Sequence, residues 1–208
     1  MYFDPYKLVA GGLYNDSVGD VGNGNEHGVS TARDGKTIVG FRGIDFGKIG
    51  SDSITLPIFE LGGVETPIGI WDGKPGEKES RLLITAVYQK ASIWNTYQEE
   101  TYLLPERLKG IHDLYFELHQ KIHLKGFVFR KYPKAFECLY ANESEAIYGD
   151  QMRVTEKGVM DIGNNVTLEF SDMDFGSDGT DKICICGRTQ NEKNTIHIRF
   201  FDGEKENR

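Results

Sequence analysis

Glu99 and Glu100 are the first side chains in this sequence that could be asked to do acid–base chemistry, as two carboxylates side by side. Hydrolysis of a glycosidic bond needs two carboxyl groups facing each other across a cleft. Both residues fall in a strand-like run, where neighbours project to opposite faces, so they cannot form that pair. The serines, histidines and cysteines show neither a nucleophile elbow nor a metalloprotease motif. No glycine-rich loop cradles a phosphate; the glycines fall at turns. Cys184 and Cys186 share one face of a strand-like run and suit small core side chains better than a bridge. No His or further Cys lies near them at zinc spacing. The three cysteines therefore read as reduced thiols of a cytoplasmic protein. The expectation is a chain with no catalytic residues and no cofactor.

Trp94 stands on the turn before the Tyr97 strand and reads either as an aromatic face open to a ligand or as a cap on the core. The rest of the composition narrows the partners. With 24 basic and 32 acidic residues the net charge is −8 and no basic cluster stands out, which argues against nucleic acid and against an anionic membrane. No segment has the apolar length of a membrane span. Met-Tyr-Phe-Asp-Pro-Tyr at the start has neither the basic nor the apolar region of a signal peptide, in line with the cytoplasmic expectation.

The elements that must position Trp94 are read from strands and from a repeat. Twenty-five glycines against six prolines suggest many short strands. Thr37–Phe41, Ser53–Phe59, Pro67–Trp71, Leu82–Tyr88, Tyr97–Leu103, His112–Leu118 and Lys121–Phe129 alternate in character and end at turn residues, predicting an all-β sandwich. Leu114, Phe116 and Leu118 share one face; Tyr115 and Glu117 share the other. Leu104–Lys109, which contains Pro105, reads as a loop, and Pro57 inside a strand implies an edge or a bulge.

Asp45-Phe46-Gly47, Gly50, Asp52 and Ile54 recur as Asp174-Phe175-Gly176, Gly179, Asp181 and Ile183, and Phe41 as Phe170, all at an offset of 129 (174 − 45). Asp20–Asn23 resembles Asp161–Asn164 at an offset of 141 (161 − 20), which predicts a twelve-residue insertion (141 − 129) around Gly24–Gly35. Ile68–Gly73 resembles Ile198–Gly203. The pattern predicts duplication. From the shared Asp-Phe-Gly the first copy runs 85 residues, Asp45 to Phe129, against 35 in the second, Asp174 to Arg208, so about 50 (85 − 35), or roughly four strands, are wanting in the second. The expected organisation is a complete module over 1–131 and the N-terminal portion of a second, truncated repeat over 132–208. Val166–Phe170, Lys182–Cys186 and Thr195–Phe201 are its predicted strands.

The order of motifs resembles family 6-like carbohydrate-binding modules. It is carried by Gly22-Asn23, the aromatic strand, Asp45-Phe46-Gly47-x-x-Gly50 and Ile68-x-Ile70-x-Asp72-Gly73. Ala91–Tyr97 resembles their Gly-Gly-Trp turn, and Ile111–Phe116 with Ile122–Phe127 their closing strands. The wording is similar to modules toward the C-terminus of bacterial family 2 glycoside hydrolases, chiefly β-galactosidases. The resemblance implies a galactose-binding-like jelly roll that holds a β-galactoside or plant-type polysaccharide near an attached catalytic domain, or else a structural module that packs between domains and binds no sugar. It implies a sugar site around Trp94 and Tyr97, where a flat ring can stack on the apolar C–H face of a pyranose and amide or carboxylate side chains can serve its hydroxyls, with His123 standing where an Asn is usual. A second stacking aromatic belongs near Gly22-Asn23; the insertion stands there instead, and Asn23, Glu26, His27, Arg33 and Asp34 become candidates for contact. Many such modules hold a structural calcium with an N-terminal Glu and a C-terminal Asp, hard oxygen ligands that suit the ion. Lys7–Ala10 stands where the N-terminal Glu pair belongs in the first copy, while the second offers Glu143 and Glu145, their C-terminal partner expected in the wanting half.

Overall fold

The computed structural model describes residues 2–31, 35–62, 65–189, 193–202 and 205–207, so Arg33 and Asp34 lie outside the described residues. The chain divides into two compact units, Met1–Asp174 and Phe175–Arg208. The first holds β1 (Val9–Ala10), β2 (Asp16–Val18), β3 (Val21–Asn23), β4 (Val29–Thr31), β5 (Thr37–Asp45), β6 (Ser51–Glu60), β7 (Thr66–Asp72) and β8 (Arg81–Tyr88). It continues with β9 (Gln98–Leu108), β10 (Ile111–Leu118), β11 (Ile122–Leu124) and β12 (Gly126–Phe129).

These strands make two antiparallel sheets. One runs β2-β5-β10-β7-β8; the other runs β1-β12-β6-β11-β4-β3, with β9 on the far side of β6. The alternation in sequence decides the faces. Val39, Phe41, Ile68, Ile70, Leu114 and Phe116 point inward from the first sheet and meet Ile54, Leu56, Ile58, Leu124 and Phe127 from the second, all of them fully buried. Phe41 and Phe127 interlock edge to face with centroids 5.0 Å apart, as do Phe46 and Phe129 at 4.8 Å. This is the predicted β-sandwich.

Pro57 marks a break in the strand beside it. The Lys125 N–H donates to the Pro57 carbonyl (3.0 Å), but Pro57 has no N–H to return, and the Lys125 carbonyl accepts from Gly11 instead (2.7 Å). The partner is therefore split into β11 and β12. Gly126 follows the break because a Cβ there would stand 2.1 Å from the Val9 carbonyl.

Three expectations change. Residues 104–108 continue β9 through Pro105 and form no loop. Among the described residues β9 pairs only with β6, so a missing N–H on its open edge costs no ladder bond. Lys182–Cys186 and Thr195–Arg199 form no strands; in the second unit Phe200–Asp202 (β17) pairs with Lys205–Asn207 (β18). Cys184 and Cys186 are consequently exposed and contribute to no core. A lone strand has no ladder to join, whatever its alternation.

Residues 132–174 bring β13 (Ala146–Tyr148), β14 (Arg153–Thr155), β15 (Gly158–Met160) and β16 (Thr167–Glu169). Their ladders repeat earlier ones in register. Ala146↔Glu169, Ile147↔Leu168 and Tyr148↔Thr167 reproduce Asp16↔Gly40, Ser17↔Val39 and Val18↔Ile38 at offsets of 130 and 129. The β14–β15 hairpin reproduces β3–β4, with residues 156–157 in its turn against 24–28. By topology Val21–Asn23 thus corresponds to Arg153–Thr155, not to Ile162–Asn164. The difference in that hairpin is three residues rather than twelve. Turns draw Asp, Gly and Asn repeatedly, and the Asp20–Asn23 likeness to Asp161–Asn164 is of that kind.

Candidate functional site

The site is built on the outer face of the larger sheet. Because Ile58, Ile122 and Leu124 face the core, their neighbours Phe59 and His123 face away from it, paired across β6 and β11; Ser30 of β4 continues the row. Phe59 is nonetheless buried. It is covered by the 89–97 loop and by three rings: Trp94 at 6.1 Å and Tyr97 at 6.4 Å, both edge to face, and the His123 imidazole at 5.4 Å. Trp94 itself stays 82% exposed.

The loop is fixed from both ends. Ser92 Oγ donates to the Glu60 carbonyl, Gln98 Nε2 to the Ala91 carbonyl (2.7 Å), and Thr96 N–H to the Ile93 carbonyl (3.1 Å). Asn95 takes the left-handed conformation (φ 53°), which Asn tolerates better than most side chains. Across from it the 24–28 turn closes on itself through Gly28 N–H to the Asn25 carbonyl (2.9 Å), with Glu26 and His27 also left-handed. The two segments are tied together. Asn25 Nδ2 donates to Asn95 Oδ1 (2.6 Å), Tyr97 OH donates to the Asn25 carbonyl (2.8 Å), and Lys125 pairs with Glu26 (2.5 Å) while lying 5.8 Å from the Tyr97 ring centroid.

The structure thus brings together Trp94, Tyr97 and His123 around Phe59, and Glu26 beside them through Lys125. Asn23 ends β3 exposed, its carbonyl accepting from Ser30 Oγ (3.3 Å); exposed His27 sits at the back of the turn with its carbonyl toward Gly12. His123 carries an enclosed Nδ1 that meets no protein hydrogen-bond partner among the described residues. Burial, and after it the charge of Lys121, push its pKa down, so the imidazole is neutral at pH 7 and acts as packing against Phe59. Sequence reasoning missed Phe59, Asn25, Asn95 and Lys125. An apolar residue outside the core-facing set of β6 was the available signal for Phe59. The Asn25–Asn95 contact spans 70 residues and has no local signature.

Glu99 is exposed and Glu100 half-buried on the other face of β9, as expected of neighbours in a strand. Beside Tyr97 a hollow of about 160 Å³ is lined by Leu8, Pro57, Glu99, Lys125 and Val128. A larger one, about 400 Å³, lies at the other end of β7. Its Asp72 and Asp113 are already engaged: His112 Nδ1 lies 3.0 Å from both Asp72 oxygens, and Gly43 N–H donates to Asp113 (2.8 Å).

Glu143 and Glu145 do not fit a calcium site. Glu143 accepts from the Tyr140 N–H (2.8 Å), and Glu145 takes the Lys134 ammonium (2.6 Å) on one oxygen and the Ser171 N–H (3.0 Å) on the other. Lys134, and then the Ser171 amide, hold the Glu145 pKa below the usual carboxylate range. An ammonium and amide donors occupy the positions a cation would need.

No protein-family model matches the chain, and no curated protein matches it. Solved structures do. A family 6 carbohydrate-binding module from Clostridium stercorarium in complex with cellobiose is 20% identical over 64% of this chain and 98% of its own, with a TM-score of 0.53. One from Clostridium cellulolyticum in complex with xylose is 19% identical over 62% and 100%, with a TM-score of 0.51. A β-1,3-glucan-binding one from Bacillus halodurans is 19% identical over 63% and 100%, also at 0.51. The fold is therefore the jelly-roll β-sandwich of these modules, and each is matched over nearly its whole length.

Proposed function

We propose that this chain is a non-catalytic glycan-binding region, with one complete module over residues 1–131 and the N-terminal portion of a second over 132–208. The observation that carries glycan binding is Trp94: a ring anchored on Phe59 yet 82% exposed, on a loop held by hydrogen bonds. An exposed indole loses favourable burial unless something stacks on it. The amides of Asn25 and Asn95 stand in the adjoining segments, and Glu26 and Lys125 beside Tyr97. The ligand class proposed is a β-galactoside or plant-type polysaccharide; cellobiose, xylose and β-1,3-glucan, named with the structural neighbours, support the second. Attached to a glycoside hydrolase of family 2, β-galactosidase-like, the module would raise the local concentration of substrate. A cytoplasmic location is proposed with it, supported by three free cysteines.

The repeated ladders of β13–β16 and β14–β15 support the second copy. One observation favours a different job, packing between domains. The Asn25–Asn95 and Tyr97–Asn25 hydrogen bonds bridge the two segments where an open cleft would lie, so contact is left to the outer surface of Trp94.

Titration with galactosides, xylan and β-glucan oligosaccharides separates these readings. Binding with Kd between about 1 mM and 1 μM that is lost in Trp94→Ala is the expected result. Saturation transfer to none of them would favour packing.

A further inference from the structure

The geometry points to a second sugar subsite in the hollow beside Tyr97, so that the ligand is an uncharged polysaccharide held along several units and not a terminal galactoside alone. The inference rests on the glycan-binding reading and names the substrate class of that same site.

The hollow owes its place to Pro57. A proline in β6 offers no N–H where Lys125 would pair with it, and the partner splits there into β11 and β12. Pro57 and Lys125 both line the space of about 160 Å³ that opens over the break. The backbone is already satisfied: Lys125 N–H donates to the Pro57 carbonyl (3.0 Å), and the Lys125 carbonyl accepts from Gly11 (2.7 Å). What the hollow presents to a ligand is therefore side chains. Val9 and Phe127 face the core, so their neighbours Leu8 and Val128 face outward and, with the Pro57 ring, give the hollow an apolar floor. Exposed Glu99, opposite Pro57 in the ladder, stands at the rim, where a carboxylate can accept from hydroxyls. An apolar face edged by an acceptor suits a pyranose. Nearby charges balance two against two: Lys125 pairs with Glu26, and Lys90 Nζ donates to the Glu99 carbonyl. Nothing there selects an ionised sugar.

The hollow continues the Trp94 site. Trp94 and Tyr97 both pack on Phe59, which lies two residues from Pro57 on the same face of β6, about 7 Å along the strand. Tyr97 belongs to both places, as it also lines the hollow. The Asn25–Asn95 bridge closes the way between turn and loop. A glycan stacked on Trp94 and running past Tyr97 over the sheet instead lays a further unit on Leu8, Pro57 and Val128. A single sugar on Trp94 leaves that floor unused.

The test titrates the full chain with β-1,3-gluco-, β-1,4-gluco-, β-1,4-xylo- and β-1,4-galacto-oligosaccharides of one to four units. In a series that binds, four units should bind at least about tenfold tighter than one. Leu8→Asp and, separately, Glu99→Ala should each cut that gain to less than about threefold. Affinity for one unit and the melting temperature should stay those of the parent, since both side chains are exposed. Trp94→Ala should remove binding at every length. Equal affinity for one and four units would overturn the subsite and leave glycan binding standing, as would a gain with length that survives both substitutions. Oligogalacturonate binding tighter than every neutral series would overturn the uncharged class. Binding of no series at all would overturn the glycan-binding reading and the subsite with it.

Discussion

Trp94 packs on Phe59 edge to face, with ring centroids 6.1 Å apart and planes at 88°. Such a contact orients the indole and leaves stacking surface free. Phe59 does its work from a buried position, so Phe59→Ala should weaken glycan affinity by roughly tenfold, about 1.4 kcal/mol, though it touches no sugar. The same change should lower folding stability by about 3–5 kcal/mol. Titration of Phe59→Leu, which keeps most of the bulk, checks the mechanism: affinity near that of the parent would show that orientation by the ring is unnecessary.

Tyr97→Phe removes only the hydroxyl that donates to the Asn25 carbonyl, an acceptor also used by Gly28 N–H. Because that acceptor keeps one partner, the expected loss is about 0.5–1.5 kcal/mol in a denaturant melt. A loss of affinity far beyond tenfold would place the hydroxyl against the glycan itself.

Gly40 lies beneath the Tyr115 ring on the outer face of the smaller sheet, where a Cβ would meet Tyr115 Cε1 at 2.2 Å. The ring cannot move freely, since its hydroxyl accepts from Arg42 Nε (3.0 Å) and donates to Asp16 (3.1 Å). Gly40→Ala should cost about 1–3 kcal/mol by overpacking, and Gly40→Ala with Tyr115→Leu should recover part of it. An unchanged melting temperature for Gly40→Ala would contradict this contact.

Asp16 receives Lys74, Arg42 and Tyr115 together. Burial on its own would raise its pKa, but these three hydrogen-bond donors outweigh it and bring the value down to about 2. A depressed carboxyl stabilises the fold fully above its unfolded pKa, about 3.9, and loses that contribution as pH falls through about 2. The chain should therefore exceed Asp16→Asn in stability at pH 7 and converge with it below pH 2. Urea melts of both at pH 7, 4, 3, 2 and 1 test this; a gap that persists at the lowest pH would assign the effect to packing.

Residues 1–131 should fold alone, yet contacts to them continue past Lys131. Tyr132 OH donates to Asp52 (2.6 Å), its ring stacks under Arg107 at 4.1 Å, and Arg107 pairs with Glu137 (2.8 Å). A chain ending at Lys131 is expected to unfold cooperatively, and one ending at Glu137 to be about 1–2 kcal/mol more stable. Equal midpoints would mean that these contacts add nothing in solution.

Period-two alternation made the sandwich legible, because Leu114, Phe116 and Leu118 name their own face. The loop tryptophan was legible as a ring without a core strand. What alternation cannot express is the neighbour. Pro105 reads as a breaker until β9 is known to have one open edge. Ile183 and Ile185 alternate as well as Ile54 and Leu56, yet one pair is exposed and the other buried. The Asn25 bridge to Asn95 depends on two turns meeting in space.

Val9 pairs with Phe127 and Ala10 with Gly126, so the polypeptide enters and leaves the sandwich at the same place. A fold whose ends are neighbours behaves as a cassette: spliced into a host chain, it adds a bead without prying the host apart, and copied head to tail it needs only a few residues of string. Selection on such a gene can change the number of beads while leaving the interior of each one untouched.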